Sequence, residues 1–80
     1  MILYKLNHKQ VGERMTIGER IVQERNRLEL TQRELAEEIG IAQGLLSRIE
    51  NDNKMPPIQL IYQMAKIFEI TPSELFKGVN

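Results

Sequence analysis

The stretch Thr31–Asn51, TQRELAEEIGIAQGLLSRIEN, constrains the chain more than any other, because its pattern fits two short helices joined by a tight turn. Thr31 can cap the amides that open a helix, and Glu34, three residues on, can reach back to the Thr31 amide, forming a reciprocal capping box. A helix is therefore predicted to start at Thr31. Within it Leu35, Ala36 and Ile39 fall at helical spacing on one face, with Arg33, Glu34, Glu37 and Glu38 elsewhere. Gly40 supplies the positive φ that closes such a helix. Ile41 is expected to tuck under the turn. A second helix follows, with Leu46 and Ile49 inward and Gln43, Gly44, Ser47 and Arg48 outward. Gln43 and Ser47 are one turn apart, as are Gly44 and Arg48, so each pair shares a face. A polar face with glutamine at the helix start, arginine further along and a small residue allowing close approach suits the major groove of DNA, where glutamine grips adenine bidentately.

The order TQ-x-ELA-x-x-x-G, an apolar residue, then Q-x-x-LS-x-IEN resembles the Cro/C1-type helix-turn-helix family of phage repressors and bacterial regulators, also called the XRE family. The resemblance extends from Ile17-Gly-Glu-Arg-Ile21, through Pro56, to Ile70-Thr-Pro-Ser-Glu-Leu-Phe76. It implies an all-α chain: a compact five-helix, lambda-repressor-like DNA-binding domain over residues 16–78, with the helix-turn-helix at helices 2 and 3 and an extension or arm at residues 1–15. Helix 3 is implied to enter the major groove, with Gln43, Gly44, Ser47 and Arg48 reading bases. Gln32 matches a family position that touches the DNA backbone, which suits an exposed amide at a helix N-terminus, with an ordinary exposed glutamine as the alternative; Asn51 matches one whose side chain or amide meets phosphate, although its simpler role is ending helix 3. The family's arginine in helix 1 pairs with the glutamate late in helix 3, which implies an Arg25–Glu50 ion pair here. Two departures stand out. Ala42 replaces the usual serine or threonine N-cap, a change that costs about 1 kcal/mol, and Glu24 stands where relatives often have leucine.

Leu45 is expected to be half exposed, where it meets a thymine methyl or the sugar edge; a protein-binding surface is the alternative. Lys54 is the one cation of the loop Asn51-Asp-Asn-Lys-Met-Pro-Pro57, and is well placed for a phosphate. Upstream, Thr16 and Glu19 form a second capping box, and helix 1 is predicted from about Thr16 to Leu28 with Ile17, Ile21 and Leu28, and Val22 beside them, facing the core. Leu30 is expected to plug the core as the chain turns. Downstream, two prolines forbid helix through the loop, and helix 4 should run from Ile58 to about Phe68. Its inward residues are read as Ile58, Ile61, Tyr62, Ala65 and Phe68, with Leu60, Met64 and Ile67 as a second apolar face. Helix 5 opens at Thr71-Pro-Ser-Glu74, a capping box with proline at the first position, and Gly78 ends it. The surplus apolar surface of helices 4 and 5 suggests a homodimer interface.

Residues 1 to 15, MILYKLNHKQVGERM, carry Ile2, Leu3, Tyr4 and Leu6 without helical period, which suits either an arm on a second subunit or a frayed terminus. His8 reads as a solvated arm residue, and Lys5, Lys9 and Arg14 as phosphate contacts or simply a basic arm.

Eighty residues leave room for one domain with a core near the lower limit for independent stability, so dimerisation would help. With no cysteine and a single histidine, disulfides, thiolate metal sites and multi-histidine zinc sites are excluded. No phosphate-cradling glycine loop and no converging nucleophile and base are present, so neither an enzyme nor a cofactor is expected. No apolar run approaches about 18 residues and no signal-peptide pattern is visible, which predicts a cytoplasmic chain without membrane contact. Charge is balanced at eleven basic and eleven acidic residues. Residues 31 to 54 carry Arg33, Arg48 and Lys54 against Glu34, Glu37, Glu38, Glu50 and Asp52, a net of minus two. Phosphate neutralisation supplies most non-specific affinity, so weak non-specific binding and a modest salt dependence are expected.

The sequence thus points to a non-enzymatic, sequence-specific transcriptional regulator, by default a repressor, binding double-stranded DNA as a dimer on a two-fold operator with half-sites about one helical turn apart. The alternative is an antitoxin or protein-interaction module of the same fold whose main partner is a regulatory protein.

Overall fold

The computed structural model describes residues 15–79. Residues 1–14 of the arm expected over 1–15, with its apolar, basic and His8 assignments, lie outside the described residues. Five helices follow in order: α1 (Ile17–Arg27), α2 (Gln32–Ile39), α3 (Gln43–Glu50), α4 (Ile58–Phe68) and α5 (Pro72–Leu75). Among the described residues the only β pairing is an isolated parallel bridge between Met15 and Val79, where the Met15 amide donates to the Gly78 carbonyl at 3.1 Å.

Local sequence sets three of the five helix starts. Thr16, Thr31 and Thr71 each accept from the amide of a glutamate three residues on, at 3.0 Å. Glu19, Glu34 and Glu74 accept the threonine amides in return, at 3.1, 2.8 and 2.8 Å. These boxes satisfy amides that have no partner inside the helix. In the last of them the Thr71 amide, then its hydroxyl, hold the Glu74 carboxyl below its ordinary range. α2 closes at Gly40, whose φ of 85° lets its amide and that of Ile41 both reach the Ala36 carbonyl, at 2.8 and 3.0 Å.

The core gathers Ile17 and Ile21 of α1, Leu35, Ala36 and Ile39 of α2, Leu46 and Ile49 of α3, Leu60, Ile61, Met64 and Phe68 of α4, and Leu75 of α5. Leu30 and Ile41 pack against it from the connections. Two expectations about this core fail. Leu28 is 37% exposed, because α1 ends at Arg27 and a left-handed Glu29 (φ 58°) redirects the chain so that Leu30 points inward instead. On α4, Ile58 and Tyr62 are 63% and 58% exposed, while Leu60 and Met64 are buried. α4 is apolar nearly all round, so its own periodicity does not fix its rotation; packing against α2 and α5 does.

α1 is fastened on both sides. The Arg20 guanidinium donates to Glu24, to Gln23 at 3.1 Å and to the Glu74 carbonyl at 2.8 Å. Arg27 donates to Glu24 and to the Phe68 carbonyl, both at 2.7 Å. Buried Glu24 thus joins two arginines that grip carbonyls at the ends of α4 and α5, where cations also suit the helix dipole. On the other side, the first turn of α1 lies against the end of α3. A Cβ on Gly18 would stand 2.5 Å from the Glu50 carbonyl oxygen and 2.7 Å from both that of Ile49 and Asp52 Oδ1, so only glycine fits.

Candidate functional site

α3 buries Leu46, Ile49 and Glu50 and turns Gln43, Gly44 and Arg48 to solvent, with Ser47 half-buried on the same side. Leu45 is half-buried and packs on the core edge. A Cβ built on Gly44 meets nothing within 4 Å, so the surface there is open to a close partner. Ala42 precedes the helix with no side-chain cap.

Behind this face runs a chain of polar contacts. Arg25 donates from Nε to Glu50 Oε2 at 2.8 Å and from Nη2 to Glu50 Oε1 at 3.1 Å, and its Nη1 reaches the Leu30 carbonyl at 2.8 Å. The two side chains are 14% and 4% exposed, so this bidentate pair sits at the edge of the core, joining α1 to α3. Glu50 Oε1 also accepts from the Gln32 side-chain amide at 2.9 Å, and the Gln32 carbonyl accepts from the Gln43 side-chain amide at 3.3 Å. An ionised carboxylate only accepts, so Gln32 must turn its NH2 inward and its oxygen outward, and Gln43 must then offer Gln32 an N–H. Gln43 keeps its oxygen and a second N–H pointed at solvent. Gln32 is thereby half-buried between Glu50 and Gln43, with one N–H uncommitted, and is not a freely exposed glutamine.

Asn51 is exposed and donates to the Ser47 carbonyl at 2.8 Å, closing α3. Lys54 is exposed in the α3–α4 loop, and among the described residues neither it nor Arg48 forms an ion pair. The acids of this region are differently disposed. Glu50 is turned to Arg25, Glu34 to the Thr31 amide, and Asp52 to α1, where it accepts from the Thr16 hydroxyl at 2.6 Å and the Gly18 amide at 3.0 Å. Glu37 lies 3.5 Å from Arg33, both widely exposed. Glu38 is exposed as well, so of the five acids in residues 31 to 54 only Glu50 is buried, while Glu50 and Asp52, the two nearest the end of α3, are both engaged with α1. Sequence reasoning missed three participants: Asp52, the Arg20–Glu24–Arg27 cluster and the close approach at Gly18. Only Gly18 carried a signal, a glycine in a first helical turn.

A groove of about 590 Å³ lies beside the loop, lined by residues that include Ile17, Met55, Phe76 and Val79. Asp52 and Lys54 also line it, but none of Gln43, Gly44, Ser47 and Arg48 does, and a protruding helix is what the major groove admits. No helix among the described residues is long and apolar enough to cross a membrane.

Comparison with known proteins agrees with this geometry. Residues 18–80 match a family described as a helix-turn-helix domain. The DNA-bound crystal structure of SinR, named there as the master regulator for biofilm formation, shares 32% identity and superposes with a TM-score of 0.71, over 76% of this chain and 98% of that one. The N-terminal DNA-binding domain of SinR from Bacillus subtilis shares 33% identity with a TM-score of 0.69, over 75% of this chain and 88% of that one. No curated protein sequence matches significantly. Motif, five-helix architecture and family match together make this chain a member of the helix-turn-helix family, of the Cro/C1 type.

Proposed function

We propose that the chain is a DNA-binding transcriptional regulator that lays α3 in the major groove of double-stranded DNA. The observation that carries this reading is the state of Gln43: exposed at the start of α3, with its amide turned by Gln32 and Glu50 so that an oxygen and an N–H remain free. That donor–acceptor pair matches N7 and the N6 amino group of adenine. Gly44 allows close approach, and Ser47 and Arg48 complete the base-reading face. Gln32, Leu45, Asn51 and Lys54 surround it and meet phosphate or sugar, which fixes register without reading sequence. The chain acts without catalysis or cofactor, in the cytoplasm, and represses by occluding a promoter.

The regulator binds as a homodimer on a two-fold operator, with half-sites about one helical turn apart. Met55, Ile58 and Tyr62, 74%, 63% and 58% exposed, leave apolar surface beside the loop that carries Lys54, and the second copy covers it. The same surface favours the rival reading, an antitoxin or interaction module in which another protein takes that place.

Base and backbone roles separate by substitution. Gln43→Ala is expected to relax preference at one base pair by about 1 to 3 kcal/mol, whereas Lys54→Ala should weaken binding to all duplexes alike. Equal losses on every sequence for Gln43→Ala would remove it from base readout.

A further inference from the structure

We propose that Asp52 is a positioning residue for the DNA-backbone contacts: its carboxylate latches the α3–α4 loop to the first turn of α1 and so sets where Asn51 and Lys54 stand. The inference rests on reading α3 and the loop after it as the DNA-binding surface. Asp52 takes the Thr16 hydroxyl at 2.6 Å and the Gly18 amide at 3.0 Å. The second of these is a helix-opening amide with no acceptor inside its own helix, at the end of the dipole that favours an anion. Thr16 in turn accepts from the Glu19 amide, so the carboxylate joins the cap of α1 to a loop distant in sequence that lies against it.

Two features of Asp52 work against it unless the latch matters. Its φ of 63° lies in the left-handed region, where a glycine would stand without strain. It also places a negative charge two residues from Lys54, on a loop meant to meet phosphates. In return, the loop is held on both flanks. The Asn53 amide reaches the Arg48 carbonyl at 2.8 Å and Asn51 holds the Ser47 carbonyl at 2.8 Å, while Asp52 between them fastens outward to α1. The fit at Gly18, where an added Cβ would lie 2.7 Å from Asp52 Oδ1, leaves little room for the loop to shift while the latch is closed.

Charge and positioning predict opposite signs. Removing a carboxylate near phosphates strengthens binding if its charge is all that matters, and weakens binding if it holds the loop. The test uses the full chain with Asp52→Gly, Asp52→Asn and Lys54→Ala, on a duplex recovered by selection and on an unrelated duplex. Affinity is read by fluorescence anisotropy from 50 to 200 mM salt, about the range over which phosphate contacts dominate, with thermal unfolding of each variant alongside. Asp52→Gly should bind both duplexes roughly three- to tenfold more weakly, and its salt slope should fall by about 0.9, one phosphate contact. Asp52→Asn keeps an acceptor for the Gly18 amide and tolerates the left-handed backbone; it should bind at least as well as the wild type. Glycine is the truncation best suited to this left-handed backbone, so if Asp52→Gly proves unfolded at assay temperature, the same contrast with Asp52→Asn is read below its unfolding midpoint. Equal or tighter binding by Asp52→Gly, with an unchanged slope, would overturn the latch and leave the DNA reading intact. A wild-type chain that binds no duplex at low salt would remove both.

Discussion

α2 and α3 are eight residues each and bury three residues each, yet they are secured by different means. α2 carries its own closure, with a Thr31–Glu34 box at one end and the left-handed Gly40 at the other. α3 begins at an uncapped Ala42, contains Gly44, and is held by partners elsewhere in the chain: Arg25 on Glu50, Gln32 on Gln43, and α1 pressed against its end at Gly18. Local sequence fixes the supporting helix, and tertiary contacts fix the helix that presents the polar face. The difference has a functional reading: the face left free of capping and bulk is the one proposed to meet DNA, and its orientation is inherited from the core.

The largest effect should come from cutting that inheritance. Arg25→Ala leaves Glu50 buried without its counter-charge, which costs about 3 kcal/mol in a urea titration. A loss below about 1 kcal/mol would mean that apolar packing alone secures α3. A smaller change should come from giving α3 closure of its own. Ala42→Ser is expected to add about 1 kcal/mol by supplying an N-cap, and Gly44→Ala a similar amount, since its Cβ enters open space. Gly44→Ala should nonetheless lose DNA affinity; a variant both more stable and equally tight would show that nothing approaches α3 closely there. The smallest effect concerns the support of α1 and is read by pH. Burial pushes the Glu24 carboxyl up, but hydrogen bonds from Arg20 and then Arg27, with their charges, outweigh it and leave the group below its ordinary 4.5. A carboxyl lowered on folding contributes stability that is fully present above 4.5 and lost as pH falls through the lower folded value. Glu24→Gln should therefore flatten the acid side of the stability curve. An acid limb identical to the wild type's would place the titration elsewhere.

What was legible in the sequence was local. The three threonine boxes, the turn at Gly40 and the inward residues of α2 and α3 depend on neighbours within four positions, and each stands where the pattern puts it. The five-helix architecture followed from family resemblance added to those signals. The rotation of α4 was not legible, because a helix apolar on nearly every side gives no phase, and Ile58 and Tyr62 exchanged places with Leu60 and Met64. Leu28 was misplaced by one turn of backbone that bends at Glu29. In the candidate site, the exposed residues of α3 were readable from helical spacing, whereas the roles of Gln32 and Asp52 were not. Gln32 looks like any polar residue at a helix start until Glu50 is brought beneath it. Asp52 sits in a polar loop sequence, and its partners Thr16 and Gly18 belong to another helix.

The most direct test of whether the α3 face reads DNA is selection from a random duplex pool by the purified chain, repeated with Gln43→Ala and Arg48→Ala combined. A palindromic motif is expected with the wild type, and its loss with the folded double variant. Recovery of the same motif by the double variant, or of no motif by folded wild type at low salt, would contradict DNA readout by this face.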